Sequence, residues 1–294
     1  MIQNRFLICF FLVSLSITAQ IKGVVKDSIS GKPIPYVNIW VENENIGTTS
    51  EENGEFTISS TEKNKNLIFS ALGFEKKIIR ASKAILVNLK PMVYQLDEVV
   101  ILSERLETKK IEIGDTDNQI YQSFDNGPRI DTKFFPYRPA YKKTKFIKNV
   151  TIETDSRIEN ATIKIHFYSV DANGFPSQEM LDKDFIVSVK KGTKKNIFDV
   201  TKFNLTIPKK GLFVGFEKLI IEKNKLEKTI IDSKTNKAQV QKTYFPFVMY
   251  NFVERAFLYT FSGGKWNRQT KHNETDSSNK IMVYEPAINL ILTN

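Results

Sequence analysis

The chain has 294 residues, with 43 Lys and Arg against 33 Asp and Glu, for a formal net charge of +10. Hydrophobic residues make up 41% and charged ones 26%, and 13 Gly with 10 Pro are few, which excludes collagen-like and low-complexity chains. One cysteine, Cys9, and two histidines, His166 and His272, give no material for a disulfide framework or a His/Cys metal cage. No cofactor and no metal are expected.

Residues 1–19 read as a signal peptide: Arg5 opens a basic region, Phe6 to Leu15 form an apolar run, and Thr18-Ala19 is a small-residue exit before Gln20. The run is short for a bilayer span, so cleavage is expected, and it removes Cys9. A retained anchor is the alternative. The apolar stretches at Leu67–Phe74 and Phe245–Val253 are also too short to span a bilayer. The mature chain is expected to be exported without a transmembrane span, to the periplasm, the outer-membrane surface or the medium.

From Ile21 to Pro91 the pattern has period two, as a half-buried strand requires. Val37, Ile39 and Val41 alternate with Asn38, Trp40 and Glu42. Phe56 with Ile58, Leu67 with Phe69, and Ile85, Val87 and Leu89 continue it. Gly31-Lys32-Pro33, Gly47, Asn53-Gly54 and Gly73 punctuate the run, and Gly54 suits a positive-φ hairpin position. Residues 103–140 are turn-rich and carry little periodicity, so they are expected to be linker and covering loops. Alternation returns near Tyr141. Ile163, Ile165 and Phe167 alternate with Lys164, His166 and Tyr168, and later runs end at Ile288, Leu290 and Leu292. No helix-period stretch competes.

Gly23 to Asp27, Gly31 to Pro35, Val37 to Ile39, Gly47 to Thr49, Asn53 to Ile58 and Leu67 to Phe74 together resemble the carboxypeptidase-like regulatory domain found in envelope proteins of Bacteroidetes. The resemblance implies a transthyretin-like seven-stranded sandwich that is not itself catalytic. Leu96 to Ile101 resembles the segment that follows this domain in TonB-dependent transporters. Ile163 to Gly174 with Gly211 to Glu217 resembles the C-terminal β-sandwich of flavobacterial proteins that pair the two modules. The expected fold is all-β: a signal at 1–19, the small sandwich at 20–91, a linker at 92–140, and a larger jelly-roll-like sandwich at 141–294.

Candidates for chemistry are sparse. A metallocarboxypeptidase zinc site needs His-x-x-Glu, but Ser169 and Thr275 stand three residues after the histidines. No Gly-x-Ser-x-Gly elbow is present. His166 falls on the polar phase of its strand and is expected to be exposed. Trp40, Trp266, Tyr36 and Tyr137, with Tyr141 and Tyr259, are aromatics that could form a sugar platform. Trp40 is expected to be partly exposed, and Trp266 exposed at a hairpin tip. The expected function is non-enzymatic binding or assembly in the envelope, with a glycan or envelope protein as partner and no nucleic acid. An accessory role in TonB-dependent uptake is the alternative, with a carboxylate-dependent hydrolase behind it.

Overall fold

A computed structural model describes residues 20–59, 64–92, 108–114, 121–125, 127–231, 238–270 and 280–294. The expected signal at 1–19 and the segment Leu96 to Ile101 lie outside the described residues. The fold is all-β, and its helical turns are short 3-10 segments.

Seven strands make the small sandwich: β1 (Gln20–Asp27), β2 (Asn38–Val41), β3 (Gly47–Thr49), β4 (Glu55–Ser59), β5 (Asn66–Ser70), β6 (Lys77–Arg80) and β7 (Leu86–Leu89). One sheet runs β4-β1-β7 and the facing sheet β3-β2-β5-β6. β4 and β7 bury alternate residues, as their sequences require. Phe56, Ile58, Val87 and Leu89 therefore meet Ile39, Val41, Leu67 and Phe69 in one core. Gly54 has φ +78, as expected of its hairpin position. Gly23 has a different reason. β1 pairs antiparallel with β4 and parallel with β7, and a Cβ there would lie 2.2 Å from the Ala84 carbonyl oxygen.

The second sandwich uses β8 (Lys110–Ile113), β9 (Tyr121–Ser123), β10 (Ile130–Phe135), β11 (Phe146–Ser156), β12 (Ala161–Val170), β13 (Pro176–Glu179), β14 (Phe185–Val189), β15 (Gly192–Asp199) and β16 (Leu212–Lys218). After β17 (Lys225–Ile231) and β18 (Ala238–Tyr244) come β19 (Phe247–Arg255), β20 (Leu258–Ser262), β21 (Lys265–Gln269), β22 (Ile281–Pro286) and β23 (Ile288–Thr293). One seven-stranded sheet runs β13-β12-β16-β10-β20-β21, with β14 also on β12. The other runs β22-β19-β11-β23-β8, with β15 on β11 and β9 on β19. Val150, Ile152, Ile163, Ile165, Phe167, Val214 and Leu290 pack between them. β17 and β18 form a ribbon that pairs with no third strand among the described residues.

The expectation of a linker over 92–140 is corrected by β8, β9 and β10. β10 is a central strand, and Ile130–Phe135 is buried on both faces apart from Phe134. A strand covered on both sides has no reason to alternate, and its polar Asp131, Thr132 and Lys133 made it read as loop.

Candidate functional site

The two sandwiches meet over a face that each shows as its polar phase. β2 points Ile39 and Val41 into the small core and Trp40 the other way, onto the second sandwich. Trp40 is only 2% exposed there, with its ring 6.1 Å from Phe261 in an edge-on contact. Phe261 in turn meets Trp266 at 5.2 Å, and Trp266 meets Tyr168 at 5.2 Å. The turn Gly263-Gly264 between β20 and β21 lies against the small sandwich, where Lys76 Nζ donates to the Gly264 carbonyl at 3.1 Å. A Cβ on Gly264 would lie 2.4 Å from Ile68 Cδ1. The expected exposure of Trp40 is thus corrected, and Trp266 is half-buried in the interface. The alternation marked their faces as outward correctly for each sandwich alone, and the other sandwich covers them.

The same reason corrects His166, which is 8% exposed. On β12, Lys164, His166 and Tyr168 share the interface face. His166 Nδ1 donates to Glu179 Oε2 at 2.8 Å and Nε2 to Glu217 Oε2 at 3.0 Å. Lys164 Nζ donates to Asp184 Oδ2 at 3.1 Å and to the Tyr36 carbonyl at 3.0 Å. Asn38 Nδ2 of the small sandwich donates to the same Glu217 oxygen at 3.0 Å. Burial alone would lower the His166 pKa, but its hydrogen bonds to Glu179 and Glu217 override this and raise it to about 9. Burial would raise Glu217, and Lys164 and His166 outweigh it, so its carboxyl titrates below the usual range. Tyr36 is half-buried and serves this junction through its carbonyl. The ion pairs of the cluster lie within the second sandwich, and two hydrogen bonds, from Asn38 to Glu217 and from Lys164 to the Tyr36 carbonyl, fasten the small sandwich to it.

A separate feature opens inside the second sandwich. β10 pairs with β20 through Ile130↔Phe261 and Asp131↔Thr260 only, whereas its pairing with β16 continues to Phe135↔Leu212. Beyond Asp131 the two strands part, and the gap leads into a cavity of about 710 Å³ that also borders β8 and β22. That is the size of a small-molecule site. Phe134, Phe213, Phe257 and Tyr259 form its aromatic wall. The Phe134 ring lies 4.9 Å from Phe213 and 5.5 Å from Phe257, and Phe213 lies 5.3 Å from Tyr259.

Charge is arranged at the same cavity. Glu285 is buried, and Arg255 grips it with Nε to Oε1 and Nη2 to Oε2, both at 2.7 Å. Lys133 Nζ stands 3.4 Å from Glu285 Oε2 and also donates to the Gly114 carbonyl. Glu112, also on the lining, faces Asn289 Nδ2 at 3.1 Å and Lys195 at 3.5 Å. The exposed Arg138 guanidinium has no hydrogen bond or ion pair among the described residues. The Tyr259 hydroxyl is buried without a hydrogen-bond partner among them.

Of the aromatics singled out in the sequence, Tyr259 and Tyr141 line the cavity. Tyr137 sits beside it, half-buried, 6.5 Å edge-on from Tyr141. Trp40, Trp266 and Tyr36 belong to the interface. Sequence reasoning missed Phe134, Phe213, Phe257, Arg138 and Arg255. The one local signal was Phe134-Phe135-Pro136-Tyr137-Arg138, aromatic and basic at once, in a stretch read as loop. Among the described residues no group of three or more His, Cys, Asp or Glu is placed to hold a metal ion.

Residues 21–101 match the model of the CarboxypepD_reg-like domain, a stretch that takes in the small sandwich from Ile21 onward. The chain thus joins a region similar to that domain to a second, larger β-sandwich. No curated protein matches it. Among solved structures it is similar to a DUF3823 family protein from Bacteroides ovatus, at 9% identity and TM-score 0.20, covering 80% of this chain and 97% of that one. It is also similar to a chain of the infectious bursal disease virus Gx strain, at 10% identity and TM-score 0.22, covering 94% of this chain and 60% of that one. A chain of that virus's VP2 subviral particle gives 10% identity and TM-score 0.21, covering 88% of this chain and 57% of that one. The protein therefore spans 60% or less of these viral chains. Likenesses this weak carry no argument about function. No helix among the described residues is long and apolar enough to cross a membrane.

Proposed function

We propose that the protein is a non-enzymatic, exported binding protein of the cell envelope whose ligand, a glycan or a segment of another envelope protein, enters the slot between β10 and β20. The observation that carries this reading is the slot itself: a preformed cavity of about 710 Å³ with an aromatic wall and an Arg138 guanidinium that pairs with nothing else described. Two buried ionisable residues of a kind suited to acid–base chemistry are otherwise engaged. His166 is held in the interface between two carboxylates, and Glu285 is held by Arg255 and Lys133. Export rests on the signal-like residues 1–19 and on the regulatory-like domain.

The test is a glycan array together with a pull-down from envelope extract, using residues 20–294. Specific capture in either, lost on Phe257→Ala in a variant of unchanged circular dichroism, supports the reading. Clean negatives in both overturn it.

A further inference from the structure

We propose that the slot between β10 and β20 selects an amphipathic organic anion, an acid group carried on an aromatic or acyl body. This rests on the reading of the chain as a binding protein and names the class of ligand. Two observations converge on it.

The first is the wall. Phe134 and Phe257, half-buried on the lining and backed by the buried Phe213, present rings with no polar tip, so the matching ligand surface is apolar rather than rich in hydroxyls. The second is the charge. Lys133, Arg138 and Arg255 face the cavity against Glu112 and Glu285, and both acids already have cationic partners. The bidentate Arg255–Glu285 pair is internally neutral. What remains for a ligand is positive, and Arg138 is its accessible donor. A guanidinium fork donates two parallel hydrogen bonds to the oxygens of a carboxylate or sulfonate.

The apolar body and the acid group thus have separate places, the first on the Phe wall and the second at Arg138.

The experiment uses residues 20–294 and two fluorescent probes of similar aromatic body. These are the anion 1-anilinonaphthalene-8-sulfonate and the uncharged N-phenyl-1-naphthylamine, with decanoate as a non-aromatic competitor. The anion is expected to bind at one saturable site and to be displaced by decanoate. Arg138→Gln is expected to weaken the anion about fivefold and leave the uncharged probe unchanged. Phe257→Ala is expected to weaken both.

Equal binding of the two probes, insensitive to Arg138→Gln, overturns the selection of an anion. Saturable anion binding that survives Arg138→Gln combined with Phe257→Ala places the site elsewhere and also overturns it. Absence of saturable binding by the anion does the same. In each case a positive array or pull-down leaves the broader binding reading standing, so the two failures are told apart.

Discussion

Both ring nitrogens of His166 face carboxylate oxygens, which only accept, so both must donate and the ring is an imidazolium. Its folded pKa of about 9 lies above the ordinary histidine value of about 6.5. The stabilisation it brings is therefore complete below about pH 6.5 and is lost as the pH rises through about 9. Glu217 is shifted the other way, so its share is present above the usual carboxylate range and is lost on acidification. Urea unfolding at pH 5 to 10 should show a plateau near neutrality and a fall from about pH 7 upward. A flat profile from pH 7 to 10 would refute the charged pair. His166→Gln leaves the buried Glu217 and the half-buried Glu179 without the imidazolium and is expected to cost about 3 kcal/mol at pH 6. The loss should shrink toward pH 10. None of this cluster was legible locally, because Glu179, Asp184 and Glu217 stand far from His166 in sequence and the β12 pattern marked its polar phase as solvent-facing.

At the scale of elements, legibility followed burial. β4 and β7, half-buried, alternate and were readable. β10, buried on both faces, was not, and the slot beside it went unseen with it. The glycine that opens the regulatory-like pattern has a steric reason, since Gly23 brings β1 against the backbone at Ala84 and Ile85. Gly23→Ala must push β7 away or bend β1, and is expected to cost about 3 kcal/mol, read as a drop in the urea midpoint. An unchanged midpoint would show that the contact relaxes freely. The ribbon of β17 and β18 is the opposite case. It leaves Ile231 68% and Val240 58% exposed, and its ladder has no neighbour among the described residues. A two-stranded ribbon alone is marginal in water. Hydrogen exchange should therefore be fast at Thr229 to Ile231 and at Ala238 to Val240, and slow across β16, which is buried throughout.

Across the whole molecule, the seam makes one unit of two sandwiches that each have their own core. Its polar half joins Asn38 and the Tyr36 carbonyl to Glu217 and Lys164, and its aromatic half joins Trp40 to Phe261 and Trp266. The two halves respond differently to pH. Above about pH 9 the imidazolium is lost while the rings still pack. Both tryptophans of the chain, Trp40 from one sandwich and Trp266 from the other, lie on this seam, so their emission reports the junction and not either core. In urea at pH 7 the tryptophan red shift and the far-ultraviolet circular dichroism should change together, because the seam opens only when a sandwich unfolds. At pH 10 both changes should move together to lower urea, because Glu179 and Glu217, the partners of the lost imidazolium, lie in the same sandwich as His166. A red shift that precedes the circular dichroism change at either pH would mean that the junction parts before a sandwich unfolds, and would refute the single unit.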